Sequence, residues 1–240
     1  MSDATTASLP GSAGPIATSA APIVTSPAAS AAANRAEPRF EPFWPAFQRD
    51  LFRHFVYHPG ASLLRKLALC VLVEGIWASA VYRFGRALQT RGGLALLFWP
   101  LFRVWELAVR ILSGIHLDVG AQIAPGFYVG HHGAIYVGPG TRIGPDSSIG
   151  QMCYVGAAMA PLGAAPVIGA RVYLGPGSKV MGGVKLGDRS AVGASAVVLD
   201  DVPAGCTVVG NPARVVSRTG SDELIHLGGE PLRTGIEGAG

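Results

Sequence analysis

The chain has 240 residues, 49% of them apolar and 14% charged, with a net charge of +4 and a pI near 9.2. This composition excludes a wholly disordered chain, and three cysteines without a CxxC pair argue against a disulfide framework or a structural zinc site. The positive charge is compatible with an anionic ligand, an acidic membrane surface or nucleic acid, and it selects none of them.

Residues 1–38 consist almost wholly of Ala, Ser, Thr, Pro and Gly and show no apolar period. Such a segment cannot bury enough surface to offset its chain entropy, so it is predicted to be a disordered tail. It lacks a cationic start followed by a compact apolar stretch, and Asp3 lies near its beginning. A secretory signal is therefore not expected, and a cytoplasmic location is predicted.

Residues 39–113 carry apolar side chains at helical spacing and are predicted to form two to four amphipathic helices. The residues that set this spacing are Trp77, Ala80, Val81, Phe84 and Leu88, followed by Phe98, Leu101, Phe102, Trp105, Val109 and Leu112. No uncharged stretch approaches the roughly 18 to 20 residues that a membrane span needs. The helices either pack on each other or on a partner subunit, or lie at a membrane surface with arginines at the rim.

From residue 137 the chain follows a six-residue repeat, which begins VGPGTR, IGPDSS, IGQMCY. The first place of each hexad is aliphatic, and the fifth place is small or β-branched. The first-place residues are Val137, Ile143, Ile149, Val155, Ile168, Leu174, Val180, Leu186, Val192 and Val198. The fifth-place residues are Thr141, Ser147, Cys153, Val172, Ser178, Val184, Ser190, Ala196 and Val202.

This period is typical of a parallel β-helix, in which each hexad makes one short strand and one turn and three hexads complete a triangular coil. First-place side chains then form an apolar column along the axis, and the glycine usually found in second place lets the chain turn without a Cβ clash. LDVGAQ and IAPGFY extend the pattern backward. The predicted β-helix covers residues 114–216, and residues 217–240 are predicted to be a flexible tail.

The repeat, together with GFYVGHHGAIYVG, APVIGARVYLGPGSKVMGGVKLG and the closing VVGNPARVV, resembles the hexapeptide-repeat acyltransferases. Within that class it looks most like the serine acetyltransferases and their sugar-modifying relatives. The resemblance implies a left-handed parallel β-helix preceded by a small α-helical segment, a mainly β fold. It also implies a homotrimer or a dimer of trimers, acetyl-CoA as co-substrate, and a small molecule with a hydroxyl group as acceptor.

One step in the repeat is irregular, because Val129 and Val137 are eight residues apart instead of six. Two extra residues must therefore bulge from the coil at HHGAI, which re-aims the side chains there. Adjacent residues on a strand point to opposite sides, so only one of the two imidazoles is expected to face a given cleft.

In the family it resembles, a histidine at the place of His131 is the general base for the acceptor hydroxyl. Imidazole, with a pKa of about 6.5, suits this role at neutral pH. The alternatives are His132 as the base, or a structural or solvated role for both. The family has an aspartate where this chain has His116 and a histidine where it has Asp118. Asp118 is the candidate to support the His131 imidazolium from the preceding coil; otherwise it is an ordinary solvated carboxylate.

Two further departures concern the acceptor. Serine-specific members have an aspartate at the place of Gly130 and an Arg-His pair in the insertion, which here reads AAMAPLGAAP. A zwitterion would find fewer charged partners in such a site. A neutral hydroxyl on a sugar or polysaccharide precursor therefore fits at least as well as L-serine, and the arginine-bearing helices would hold the enzyme near the inner face of a membrane.

The family binds acetyl-CoA in a groove between protomers, through backbone groups at coil corners and basic side chains near the phosphates. The matching positions are Gly156, Gly175, Lys179, Ala194 and Arg214. Lys179 and Arg214 would neutralise the phosphates, unless they are solvated surface charges. Pro176 has no N–H, so one backbone contact at its corner is expected to be missing.

The sequence also bears on three other functions. A zinc site is not expected, since adjacent His131 and His132 diverge and the remaining histidines, apart from His116, lie outside the repeat. Nucleic-acid binding is not expected, since the basic residues are dispersed and no stacking motif accompanies them. The alternative to the enzyme is a non-catalytic trimeric scaffold at a membrane surface or on an enzyme partner, which the exchange of His116 and Asp118 favours.

Overall fold

The computed structural model describes residues 42–89, 93–158 and 164–227, so the predicted disordered tail 1–38 lies outside it. The described chain begins with four helices, at the upper end of the predicted number. They are α1 (Phe43–Val56), α2 (Leu63–Leu72), α3 (Glu74–Gln89) and α4 (Gly93–Ser113). Within these ranges no single helix is long and apolar enough to cross a bilayer, whereas α2 and α3, bent by 77° at their junction, pass that test as a pair.

Fifteen short strands follow in the described part of the chain. They are β1 (Ile115–Leu117), β2 (Gln122–Ile123), β3 (Tyr128–Val129), β4 (Ile135–Val137), β5 (Arg142–Ile143), β6 (Ser148–Ile149), β7 (Tyr154–Gly156), β8 (Val167–Ile168), β9 (Tyr173–Leu174), β10 (Lys179–Met181), β11 (Lys185–Leu186), β12 (Ala191–Val192), β13 (Val197–Val198), β14 (Thr207–Val209) and β15 (Arg214–Ser217). Sheet A has the order β1-β4-β7-β10-β13, sheet B β11-β8-β5-β2 and sheet C β15-β14-β12-β9-β6-β3. All neighbours are parallel except β14 and β15.

Every third strand therefore returns to the same sheet, and the chain winds into a parallel β-solenoid of about four turns behind the helices. This confirms the predicted architecture. A regular turn takes 18 residues, as between Tyr136 and Tyr154. The first turn takes 20, since His116 pairs with Tyr136, and the turn from Tyr154 to Lys179 takes 25. The two longer turns contain the HHGAI bulge and the AAMAPLGAAP insertion.

The axis of the solenoid is filled as the repeat predicts. The ten first-place aliphatic residues are each at most 2% exposed, and the nine fifth-place residues are buried as well. Both sets point inward, one from the strands and one from the corners. The column is continuous from Val137 to Val202, and burial of this apolar area is the main favourable contribution to the fold.

Each corner of the solenoid places special requirements on the backbone at two places of the hexad, the fourth and the second. The left-handed backbone falls on the fourth place, for example Asp146 with a φ of 58° and Arg189 with a φ of 59°. The second-place glycine instead makes room for the next coil. A Cβ on Gly144 would lie 2.5 Å from the carbonyl carbon of Gly169. The predicted Cβ clash is thus a clash between coils, not one within the turn.

The helices bind the first coil through a buried ion pair. The Arg83 guanidinium on α3 donates to the Asp50 carboxylate on α1 at 2.8 Å and to the backbone oxygens of Ile123 and Ala124. The Asp50 carboxylate also accepts hydrogen bonds from the N–H groups of Gly126 and Phe127. Because both side chains are buried and saturated with partners, they fix two helices and one turn of the solenoid relative to each other.

A second contact joins α1 to sheet C. Arg53 donates to the backbone oxygen of Asp146 and the hydroxyl of Ser148, and its guanidinium lies 5.9 Å from the Tyr128 ring centre. The ring of His54 packs on the same tyrosine at 4.7 Å. Burial lowers the pKa of His54 to about 3, so this imidazole is neutral at physiological pH and packs as an aromatic group.

The described end of the chain differs from the predicted flexible tail. Residues 217–227 fold back on the solenoid, where Ser221 donates to the backbone oxygen of Arg171 and Ile225 is buried. Asp222 forms ion pairs with Arg189 and Arg171 on the surface. The remainder of that tail lies outside the described residues.

We expect Gly144→Ala to lower the free energy of unfolding by about 3 kcal/mol, because its Cβ would meet the backbone of the next coil. The matched control is Gly60→Ala, at a glycine with a φ of 76° and no atom within 4 Å of the added Cβ, which should cost about 1 kcal/mol. Urea unfolding followed by circular dichroism measures both values. Equal destabilisation would contradict the account of close coil stacking.

Candidate active site

The candidate site lies on one edge of the solenoid, where strands of sheet C lead into strands of sheet A. We call this the His131 edge and define it as residues 130–134, 150–153, 175–178 and 193–196. These corners follow β3, β6, β9 and β12 in turn. They stack one per coil, about 4.8 Å apart, so residues far apart in sequence form one continuous ridge.

The corner that carries the histidines is the longest of the four and is held at its base. The N–H of Gly133 donates to the oxygen of Ser113 at 2.8 Å, and the oxygen of Gly133 accepts from the N–H of Met152 at 3.0 Å. Gly114 approaches so closely that a Cβ on it would lie 3.0 Å from the nitrogen of Ala134. Since these anchors lie at the far end of the bulge, the two extra residues project at His131 and His132.

Both histidines are exposed, and neither side chain makes a hydrogen bond or ion pair with any residue in the described ranges. The ring nitrogens of His131 are therefore accessible to a substrate. The same holds for His132, so the isolated chain does not distinguish the two, and the assignment of His131 as the base stays a prediction.

The structure brings Asp118 to His116. The Asp118 carboxylate accepts a hydrogen bond from the N–H of Gly120 at 2.7 Å and lies 3.7 Å from Nε2 of His116. Nδ1 of His116 lies 3.6 Å from the Glu106 carboxylate of α4, which is itself paired with Arg103 at 2.5 Å. His116 thus lies between two carboxylates. The support of His131 by Asp118 stays a prediction without a contact in the described chain.

An aromatic column on the outer face of sheet A was not anticipated from the sequence. The His116 ring stacks on Tyr136 at 5.4 Å, and Tyr136 stacks on Tyr154 at 5.3 Å and an interplanar angle of 10°. The signal was present, because tyrosines in the sixth, outward place of hexads 18 residues apart must lie one above the other. Its first tyrosine, Tyr136, lies on β4, directly after the corner that carries His131.

Three of the five residues that are predicted to bind acetyl-CoA lie on the His131 edge or at its border. Gly175 and Ala194 are neighbours in successive coils, since a Cβ on Gly175 would lie 2.9 Å from the nitrogen of Ala194. Lys179 follows this edge as the first residue of β10, and its Nζ lies 3.4 Å from the oxygen of Gly177. The corner of Gly175 is two coils, or about 10 Å, from that of His131.

The other two residues that are predicted to bind acetyl-CoA lie elsewhere. Gly156 ends β7 on the neighbouring edge, where sheet A leads into sheet B. Arg214 begins β15, where its guanidinium pairs with the Asp200 carboxylate at 3.2 Å on the exposed surface. The structure therefore brings together Gly175, Ala194 and Lys179 with the histidine corner, and it leaves Gly156 and Arg214 off this edge.

Cys153 lies on the His131 edge but faces inward. Its Sγ lies 3.1 Å from the oxygen of Gly175, and burial raises the pKa of the thiol. A buried neutral thiol fits a packing role in the fifth place and not that of a nucleophile.

Two other expectations concern the insertion and metal binding. Residues 159–163, which belong to the AAMAPLGAAP insertion, lie outside the described residues. Within the described ranges no three His, Cys, Asp or Glu side chains converge as metal ligands.

Comparison with known proteins gives the same family from sequence and from structure. Residues 165–200 match the family model described as bacterial transferase hexapeptide (six repeats). The chain is 34% identical to a serine acetyltransferase of Helicobacter pylori over 158 residues, which cover 64% of this chain and 87% of the relative. It is 33% identical to that of Bacillus subtilis over 192 residues, covering 79% and 85% of the two chains.

A solved structure of soybean serine acetyltransferase superposes with a TM-score of 0.60 at 28% identity, covering 73% of this chain and 69% of that chain. The fold of these structures is a left-handed β-helix after a helical segment, so the predicted fold class is confirmed. Because the relatives exceed 30% identity over most of their own length, the chain belongs to the serine acetyltransferase family and is an acyltransferase.

Proposed function

We propose that the protein transfers an acetyl group from acetyl-CoA to the hydroxyl of a small acceptor, with His131 as general base. The observation that carries the proposal is the accessible imidazole on the one corner that projects from an otherwise regular edge. Beyond Gln151 and the exposed Met152 on the next coil, small residues continue this edge from Gly175 to Ala194, which leaves room for an extended donor along that part of the ridge. Membership of the family supports acetyl-CoA as that donor.

The proposed reaction is a direct transfer in a ternary complex. The His131 imidazole takes the proton of the acceptor hydroxyl as the oxygen attacks the thioester carbonyl carbon. Backbone N–H groups stabilise the oxyanion of the tetrahedral intermediate. The C–S bond then breaks, and the departing sulfur takes the proton from the imidazolium. The products are the O-acetyl ester and free coenzyme A, and no acyl-enzyme is required, in line with the buried thiol of Cys153.

For the donor we propose that the pantetheine arm lies along the His131 edge past Gly175 and Ala194, with Lys179 near the phosphates. Lys179 is exposed and makes only a long contact to a backbone oxygen, so its ammonium is available to an anion. In the family the donor groove lies between protomers. A homotrimer, or a dimer of trimers, is therefore part of this proposal.

Two acceptors follow from different observations. Family membership favours L-serine. A neutral hydroxyl acceptor such as a sugar is favoured by the column of His116, Tyr136 and Tyr154, which places ring edges and the Tyr136 hydroxyl near the Asp118 carboxylate. The loss of charge at Gly130 and in the insertion also removes partners that a zwitterion would need.

We expect His131→Ala to lower kcat by about 10² to 10⁴, because the variant loses the group that removes the hydroxyl proton. The control is His132→Ala, which removes an equally exposed neighbouring imidazole and should retain activity within about threefold. Release of free thiol from acetyl-CoA measures both rates. An unchanged rate in His131→Ala, or a larger loss in His132→Ala, contradicts the assignment.

The scaffold alternative makes a different prediction for the unmodified protein. A scaffold should release no thiol with any acceptor and should give no heat when titrated with acetyl-CoA. Binding of acetyl-CoA to both histidine variants with loss of turnover in His131→Ala alone would instead separate donor binding from chemistry, as the proposal requires.

For the acceptor we expect the ratio kcat/KM to identify one class in a panel of L-serine, simple sugars and nucleotide sugars. If the aromatic column binds the acceptor, Tyr136→Ala should raise the KM for the preferred sugar about tenfold and leave the KM for acetyl-CoA unchanged. Faster turnover of L-serine than of every sugar, with no effect of Tyr136→Ala, would establish serine instead.

We expect Lys179→Ala to raise the KM for acetyl-CoA about tenfold, the loss of one charge-assisted contact to a phosphate. Lys185→Ala is the control, because Lys185 is equally exposed but lies in β11 of sheet B, away from the His131 edge. Steady-state kinetics with acetyl-CoA as the varied substrate gives both values. Equal effects of the two substitutions would remove Lys179 from the donor site.

A further inference from the structure

The outer side of α4 is apolar along its whole described length. The helix buries one stripe, Phe102, Glu106, Val109 and Ser113, against the rest of the protein. The opposite side of the helix exposes apolar side chains, Pro100 and Ala108 among them, and we call the eight large ones the α4 apolar face. Its residues are Leu97, Phe98, Leu101, Val104, Trp105, Leu107, Ile111 and Leu112. Eight such neighbours form a contiguous patch, unlike the single exposed residues that need no explanation.

The helical segment has a large excess of basic over acidic residues. Residues 42–113 contain nine Arg and Lys but three acidic residues, a net charge of +6 against +4 for the whole chain, which leaves −2 for the remainder. Asp50 and Glu106 are buried in ion pairs with Arg83 and Arg103, and Glu74 is half-buried. No acidic side chain in the described part of the helices is therefore fully exposed.

On α4 itself the cations border the apolar half of the helix. Arg103 and Arg110 are seven residues apart and so lie on the same side, between the buried stripe and the α4 apolar face. A half-circumference of apolar side chains with arginines at its rim is the arrangement of a helix that lies in the plane of a membrane surface. The long arginine side chains reach the headgroups while the apolar residues enter the acyl region.

A second copy of the chain fits the same face less well. A two-fold contact between antiparallel α4 helices keeps the arginine-bearing rim of each copy on the same side, so the arginines of one copy would lie beside those of the other. The helices offer no fully exposed carboxylate within the described ranges to pair with them. Anionic headgroups supply the missing countercharge, and each basic residue near such a surface adds to the binding.

We propose that α4 binds the surface of an anionic lipid bilayer through the α4 apolar face, with Arg103 and Arg110 at the headgroups. The exposed residues of α2, among them Leu64 and Val71 beside Arg65 and Lys66, have the same chemistry and provide a second candidate contact. Binding of α4 to a bilayer does not require acetyl transfer.

The test is co-sedimentation of the full chain with vesicles of phosphatidylglycerol and phosphatidylcholine in equal parts, and with phosphatidylcholine alone. We expect binding to the anionic vesicles that weakens as salt is raised, since headgroup attraction is screened. Val104→Glu combined with Ile111→Glu should weaken it at least tenfold, and Arg110→Gln about fivefold. Leu199→Glu, at an exposed apolar residue of the solenoid, is the control and should bind as the unmodified chain does.

Circular dichroism and light scattering accompany each variant, and an unchanged spectrum shows that the exposed glutamates leave the fold intact. Absence of binding to the anionic vesicles, or equal binding to both kinds, overturns the proposal. So does a double glutamate variant that binds vesicles normally but has a smaller mass in solution, because the face would then be an interface between copies.

Discussion

Direct stacking of one coil on the next is the constraint from which the other features follow. A Cβ on Gly144 or Gly175 would lie within 2.6 Å of the backbone of the following coil, so successive turns are in backbone contact at these corners. A solenoid packed this closely has no internal space for additional residues. Any departure from the hexad must project outward at an edge, which is where the histidine pair is found.

Stacking of the coils and packing of the helices on the first coil together position the residues of the candidate site. Stacking aligns the corner of His131 with those of Gly175 and Ala194, so that one edge carries the accessible imidazole and the small residues. The buried pair of Asp50 and Arg83 fixes the helices against the first coil, whose following corner carries His131. The same helices then present the α4 apolar face on the outside. The proposed catalytic edge and the proposed membrane-binding surface are thus both held by the first turn of the solenoid.

The solenoid could be predicted from the sequence because the residue type at each place of a hexad reflects whether that place is buried or exposed. Every first-place residue from Val137 to Val198 is buried as predicted, and the eight-residue step at Val129 located the projecting corner. The neighbours of His116 could not be predicted in this way. They depend on Glu106 of a helix whose packing is not encoded in the repeat, and on a local hydrogen bond that turns Asp118 towards Gly120. The helical period included Leu101 and Leu112 without deciding what covers them, and α4 exposes both, because several of its faces are apolar.

The most direct measurement is a crystal structure of the protein with coenzyme A. The account predicts density for the pantetheine arm along the His131 edge past Gly175 and Ala194, with the sulfur within about 4 Å of the His131 imidazole. Density for the pantetheine arm away from the His131 edge, or a sulfur atom remote from both imidazoles, would contradict it.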